Sequence, residues 1–295
     1  MKKFTKVTLT IAGILLTVGI VLLIIVDNTS STSVLLNLLK KGVFNSENWN
    51  LKDGIQTEIQ EVADAFHNVE KVLPKGKEET TNEFLEEIKN INIEFDLGKI
   101  TIEEIEADDN PNIFKVVFCD GYLEYYEVKT EKDTLTITYD VESKNFEAGP
   151  ELVVYVPRKS EFEKINIQTH VGDVDLDNIN CKNMDISSNV GDIELENIMS
   201  EIAIVKSNVG DIDISGNVNN KVDAETKVGD IETHLNEKIE NYNIEIETNT
   251  GKVIVNEKKQ ENKEVGASYS SSQQQASGNI ILNSNVGDIK LQVKE

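Results

Sequence analysis

The chain has 295 residues, of which 29 are Lys or Arg and 53 are Asp or Glu, giving a formal net charge of −24. That charge repels phosphate backbones and excludes nucleic acid as a partner. Arg158 is the only arginine, so the guanidinium fork that grips phosphate or uronic-acid groups is nearly missing, which argues against an anionic ligand.

Residues 1–6 carry Lys2, Lys3 and Lys6, and residues 7–26 are uncharged and dominated by Ile, Leu and Val. A helix of that length, at ~1.5 Å per residue, spans roughly 30 Å, the thickness of a bilayer core. Lysines before it and Asp27 after it predict a short cytoplasmic tail, a single transmembrane helix and everything beyond on the extracytoplasmic side. The alternative is a cleaved secretory signal. The apolar run is long for one, and residues 28–33 (Asn-Thr-Ser-Ser-Thr-Ser) match a small-residue cleavage site poorly.

Residues 27–83 form a juxtamembrane linker. Ile55, Ile59, Val62, Phe66 and Val69 recur at steps of three and four and predict an amphipathic helix over 52–71, ended by Pro74 and Gly76. Val34, Leu35, Leu36, Leu38 and Leu39 lie on the membrane surface or pack on that helix. Trp49 either anchors at the interface or caps the same unit.

Beyond residue 84 come irregular apolar runs at 91–95, 100–102, 113–118, 123–128, 135–139 and 152–156, read as strands that are partly antiparallel. A repeat then takes over. Val-Gly-Asp occurs at 171–173, 190–192, 209–211, 228–230 and 286–288. Gly172, Gly191, Gly210 and Gly229 are spaced 19 residues apart, Gly251 follows 22 later and Gly287 another 36 later, with Gly98 an early outlier. Aligned on the glycine, positions −7 and −5 are apolar, −3 is Ser or Thr, −1 is mostly Val, and +2 and +4 are mostly aliphatic. The period of two is that of a strand. The change of phase across the glycine predicts a corner there, held at positive φ. A unit this short cannot bury its apolar face alone, so successive units stack, with identical columns about 4.8 Å apart. The predicted fold is all-β, a parallel β-solenoid with irregular N-terminal strands. Residues 257–278, polar and low in complexity, read as a mobile loop thrown out between coils.

At this point the sequence resembles the putative-adhesin β-strand repeat family of bacteria, including its LiaG-like membrane-anchored members. The resemblance rests on the Ser/Thr-x-Val-Gly-Asp-Ile-x-Leu units, on the lead-in at 84–102 and on Val154-Tyr155-Val156-Pro157, and it covers 84–295. The family more often has Ser-Gly-Asp where this chain has Val-Gly-Asp. It has no established catalytic residues, so the resemblance implies a cell-surface binding role without a site. Some members are associated with envelope-stress loci.

Asp173, Asp192, Asp211 and Asp230 recur at one place in successive coils, with Asp288 in a later one, and are candidate calcium ligands. The competing reading is that each aspartate caps its own corner by accepting a backbone N–H. Lys99 and Lys252 replace the aspartate in the outlying repeats, which suits the turn role. The histidines His67, His170 and His234 have no ligand spacing. Cys119 and Cys181 are either inert thiols or one bridge. No hydrolase, phosphate-loop or zinc-protease motif is present, so catalysis and cofactors are not expected.

The expected function is a membrane-anchored, extracytoplasmic binding or adhesion module whose partner is an envelope protein or polymer. The alternative is a signalling or scaffold part acting through a membrane partner. The repeat runs on to Val293, so the final coil is expected to be the open end of the stack and a surface for self-association.

Overall fold

A computed structural model describes residues 78–84, 87–105, 113–141, 149–260 and 266–294. The expected transmembrane segment at 7–26, the expected helix at 52–71, Trp49 and His67 lie outside these. Among the described residues no helix is long and apolar enough to cross a membrane. The described body is all-β and solenoid-like. Its strands are β1 (Glu78–Phe84), β2 (Asn90–Leu97), β3 (Lys99–Glu104), β4 (Phe114–Gly121), β5 (Tyr126–Glu131), β6 (Thr134–Tyr139), β7 (Glu151–Val156), β8 (Glu161–Val171), β9 (Val174–Asp177) and β10 (Asn180–Val190). They continue as β11 (Ile193–Val209), β12 (Ile212–Val228), β13 (Ile231–Lys238), β14 (Tyr242–Thr250), β15 (Val253–Val255), β16 (Lys258–Lys259), β17 (Ala267–Ser271), β18 (Gly278–Val286) and β19 (Ile289–Lys294).

The strands make two long ladders that meet at the corner glycines. Before the glycine the order is β5, β6, β2, β8, β10, the second half of β11, the second half of β12, β18, β14, β17. After it the order is β1, β4, β7, β3, β9, the first half of β11, the first half of β12, β13, β19, β15, β16. Each ladder is parallel inside and antiparallel at both ends. In the regular coils Ile193 pairs with Ile212 and Val205 with Ala224, one repeat apart and in register.

Every expected inward column is buried. Ile165, Ile167, Met184, Ile186, Ala203, Val205, Val222 and Ala224 come from before the corner, and Val174, Ile193, Ile212 and Ile231 from after it. A short third run also contributes, through Ile179, Ile198 and Val218. It starts at a second corner, where Asn178, Asn197 and Gly216 have φ of 57°, 53° and 132°. Asparagine and glycine are the residues that enter that region most readily. The valine before each corner glycine turns partly outward; Val171 is 43% exposed. At the N-terminal end the core is aromatic, with Phe95 and Tyr139 rings 5.1 Å apart and Phe118 stacked on Tyr126 at 4.4 Å.

Four expectations are corrected. The body begins at β1, inside the segment assigned to the linker, because β1 covers the free edge of β4. The strand expected at 123–128 is split into a 3-10 turn over Leu123–Tyr125 and then β5. The 257–278 segment is not simply a loop thrown outward: β16 pairs with β15, and β17 pairs with β14 from Ile244 to Thr248. These pairings occupy backbone donors and acceptors that the outermost coil would otherwise leave open. Last, the final coil in sequence is not the last in space. β18 lies between β12 and β14, and β19 between β13 and β15. The stack therefore runs Gly229, Gly287, Gly251, and both edges of the Gly287 coil are paired.

Candidate functional site

The residues singled out by sequence gather along one corner of the stack. Gly172, Gly191, Gly210, Gly229, Gly251 and Gly287 have φ between 146° and 155°, as the corner requires. There is a second, steric demand. A Cβ on Gly191 would overlap the carbonyl oxygen of Gly172, one on Gly210 that of Gly191, and one on Gly229 that of Gly210. Each glycine thus lets the next coil approach backbone to backbone. Its N–H continues the ladder, as in Gly191 N–H to Val209 O at 2.9 Å.

The hydroxyl column sits beside this corner and is buried. Its members do not bond one another. Each donates to the glycine carbonyl of the neighbouring coil: Ser188 to Gly172, Ser207 to Gly191, Thr226 to Gly210, Ser284 to Gly229 and Thr248 to Gly287, at 2.8–3.3 Å. Thr169, at the start of the column, has a buried hydroxyl without a hydrogen-bond partner, as does Thr233 in the apolar column after the corner.

The aspartates act between coils rather than within them. Asp173 Oδ1 accepts the backbone N–H of Asp192 (2.9 Å), Asp192 that of Asp211 (2.7 Å), Asp211 that of Asp230 (2.7 Å) and Asp230 that of Asp288 (2.6 Å). The series ends on the outermost coil. Asp288 accepts the N–H of Lys252 at 2.8 Å, and the Lys252 ammonium lies 3.5 Å from the same carboxylate. At the other end Lys99 forms an ion pair with Asp175 at 2.5 Å. The expectation that each aspartate caps its own corner is therefore corrected: the capped N–H belongs to the next coil. Among the described residues no three His, Cys, Asp or Glu side chains are arranged to hold a metal ion. In each of the four calcium candidates, Asp173, Asp192, Asp211 and Asp230, one carboxylate oxygen accepts the next coil's N–H.

Outside this series the face after the corner is acidic. Asp175, Glu194, Asp213 and Glu232 pair in successive coils and point outward. Burial and then neighbouring carboxylates hold Asp213 and Glu194 above the usual carboxylate range. Asp192 is raised in the same way, against the lowering effect of its hydrogen bond from Asp211. Lys290 closes the column by pairing with Glu232 at 2.8 Å. The face before the corner carries amide pairs, Asn208 on Asn189 and Asn249 on Asn285, each at 3.0 Å.

The remaining candidates serve the structure. Cys119 and Cys181 are unbridged, and burial pushes the Cys181 thiol up to about 12, which makes it inert at neutral pH. His170 pairs with Asp96 at 2.8 Å and His234 with Glu232 at 3.4 Å, on different faces. Arg158 Nε donates to the Ile105 carbonyl at 3.2 Å. The second-corner asparagines and the end strands β1, β16 and β17 went unread in the sequence; a recurring Asn six residues after Gly172 and Gly191 is the signal that marks the former.

A family model described as Toastrack DUF4097 matches residues 87–292. The chain belongs to that family. The matched Toastrack region takes in β2 through most of β19 and hence every corner described above. No curated protein matches the sequence. Among solved structures, a "putative cell adhesion protein" from Clostridium sporogenes is similar at 23% identity, over 74% of this chain and all of that one, with a TM-score of 0.47. A "putative adhesin" from Bacteroides fragilis shares 15% identity over 72% and 96% of the two chains, with a TM-score of 0.34. A "putative lipid binding protein" from Parabacteroides distasonis shares 13% over 72% and 96%, with a TM-score of 0.28.

Proposed function

We propose that the Toastrack region is a non-catalytic binding module, held outside the cell by the segment at 7–26 and working by extended contact with an envelope protein or polymer. One observation carries this reading. The side chains with chemical potential along the corner, the aspartates and hydroxyls, are committed to holding one coil to the next. What remains for a partner is the outward columns, repeated coil after coil at a fixed spacing of about 4.8 Å. Such a surface suits a partner that is itself long or repetitive, since each added coil contributes a similar small contact. Anchoring follows from the basic start and the uncharged run after it.

The test has two arms. A tag placed after Glu295 is expected to be destroyed by protease on intact protoplasts; survival of the tag until lysis refutes the topology. Cross-linking on intact envelopes is then compared between the native chain and a chain with Glu194→Lys and Asp213→Lys, and with Lys206→Glu and Glu225→Lys on the other face. The expected result is a cross-linked species lost in one of the two. Identical products in all three refute binding through the outward columns.

A further inference from the structure

Residues 278–294 fill a slot. Below them lie β12 and β13 of the Gly229 coil; above them lie β14 and β15 of the Gly251 coil. The chain leaves β13, passes through a 3-10 turn at Ile239–Asn241, and takes the outer position first. It then doubles back over the outside as β16 and β17 before β18 and β19 enter between the two coils. The outer coil has no ladder of its own to the Gly229 coil. Its parallel neighbours are β18 and β19.

The slot is shaped for this occupant. Tyr242, at the start of the outer coil, sends its hydroxyl across the slot to the Val218 carbonyl, a buried hydrogen bond of 2.5 Å. Its ring crosses position 278, where a Cβ would meet the Tyr242 ring at 2.9 Å and only glycine fits. The tyrosine thus bridges the two walls across the width of one coil. The corner adds a further requirement, since a Cβ at Gly287 would overlap the Gly229 carbonyl. On the floor of the slot Thr233 faces Leu291, and its hydroxyl is buried without a partner. Burying an unpartnered hydroxyl is unfavourable, and release of the inserted coil would open it to water. The contacts of Ser284 to Gly229 O and of the Asp288 N–H to Asp230 repeat contacts made between neighbouring coils elsewhere.

We infer that residues 278–294 are an exchangeable coil, and that the slot between the Gly229 and Gly251 coils accepts this segment from a second copy of the chain as well as from its own. The partner is therefore the same segment of another molecule, and the linkage is by strand exchange rather than by docking of finished surfaces. The exposed turn at Gln274 and Gln275, between β17 and β18, is where the connection would cross.

The experiment uses the full-length chain in mild detergent, with a protease site inserted between Gln274 and Gln275. After cutting, excess fluorescent peptide of residues 276–295 is added. The expected result is stoichiometric uptake of the peptide with loss of the native fragment, and at least ~10-fold less uptake of a peptide carrying Gly287→Val, a difference of about 1.4 kcal/mol or more. No uptake, equal uptake of the two peptides, or loss of the fold on cutting each overturns the inference. Hydrogen exchange on the uncut chain gives a second reading. Residues 278–294 are expected to exchange with 242–255 in a single opening, ahead of 180–228. If 242–255 exchange first while 278–294 stay protected, the stack peels from its end and no exchangeable coil exists.

Discussion

Gly210→Ala tests the corner in the middle of the regular coils. The native φ is 151°, so any L side chain there is strained by about 1–3 kcal/mol. The new Cβ would also overlap the Gly191 carbonyl oxygen, which accepts the Ser207 hydroxyl at 3.2 Å. Moving that carbonyl puts at risk a buried hydrogen bond worth about 0.5–1.5 kcal/mol. Together these predict a loss of about 2–4 kcal/mol. For a domain of this size each kcal/mol moves the melting temperature by about 2–4 °C, so the fall should be roughly 5–15 °C. Lys227→Ala, an exposed change in β12, is the control and should stay within about 0.5 kcal/mol. Circular dichroism melts and urea titrations at one pH measure both. Equal midpoints for the two variants would show that the corner does not need glycine and would remove the reason given for the repeat.

Thr233→Val keeps the shape and removes the unpartnered hydroxyl, so it should raise stability by about 1–3 kcal/mol in the same melts; a lower midpoint would mean the hydroxyl has a partner. Asp211→Asn keeps an oxygen acceptor for the Asp230 N–H and should cost little, whereas Asp211→Ala should cost about 1.5–3 kcal/mol, and similar midpoints would count against the inter-coil bond. The raised carboxylates Asp192, Glu194 and Asp213 make folding favour protonation. Stability should therefore rise as pH falls from 7 through their raised values, and level off near the ordinary 3.8 to 4.5, where folded and unfolded chains are both protonated. These groups are exposed, so the rise should be a few degrees at most in low salt, and Asp213→Asn should raise the midpoint at pH 7 and flatten the profile. If the corner aspartates serve the backbone alone, millimolar calcium should leave the midpoint unchanged; a ligand at 100 times its Kd would add about 2.7 kcal/mol.

The regular coils were legible because their physics repeats. A residue needed once per coil, such as Gly191 for close approach or Ser207 for the neighbouring carbonyl, recurs at the coil period and stands out from a single sequence. The ends were not legible because nothing there repeats. β1 (Glu-Glu-Thr-Thr-Asn-Glu-Phe) has no apolar alternation, and its place is set by backbone pairing with the edge of β4. β17 (Ala-Ser-Tyr-Ser-Ser) reads as polar low complexity for the same reason, although it covers β14. The direction of the aspartate and hydroxyl bonds was also hidden. A capping residue looks the same in sequence whether the group it caps lies in its own turn or one coil away.

Coil order was hidden by the very feature that revealed the fold. Columns of like residues make neighbouring coils chemically interchangeable, so hydrophobic pattern alone ranks the order Gly229, Gly251, Gly287 no worse than the order found. One residue accords with the order found. An aspartate after the corner is useful only if another coil follows to offer it an N–H. Asp173, Asp192, Asp211, Asp230 and Asp288 each have such a neighbour. The Gly251 coil has Lys252 instead, which supplies the last N–H and places its ammonium near the Asp288 carboxylate. A lysine can also stand where a coil follows, as Lys99 does on β3 beside β9, and there it gives the next coil's N–H no carboxylate; at Lys252 the ammonium instead meets Asp288. The outermost position suits it, because among the described residues no further coil stands beyond. Lys252→Asp should then lower stability, by placing an unpaired carboxylate above Asp288 in place of its counter-charge. An unchanged or raised midpoint for that variant would separate the lysine from the end of the stack.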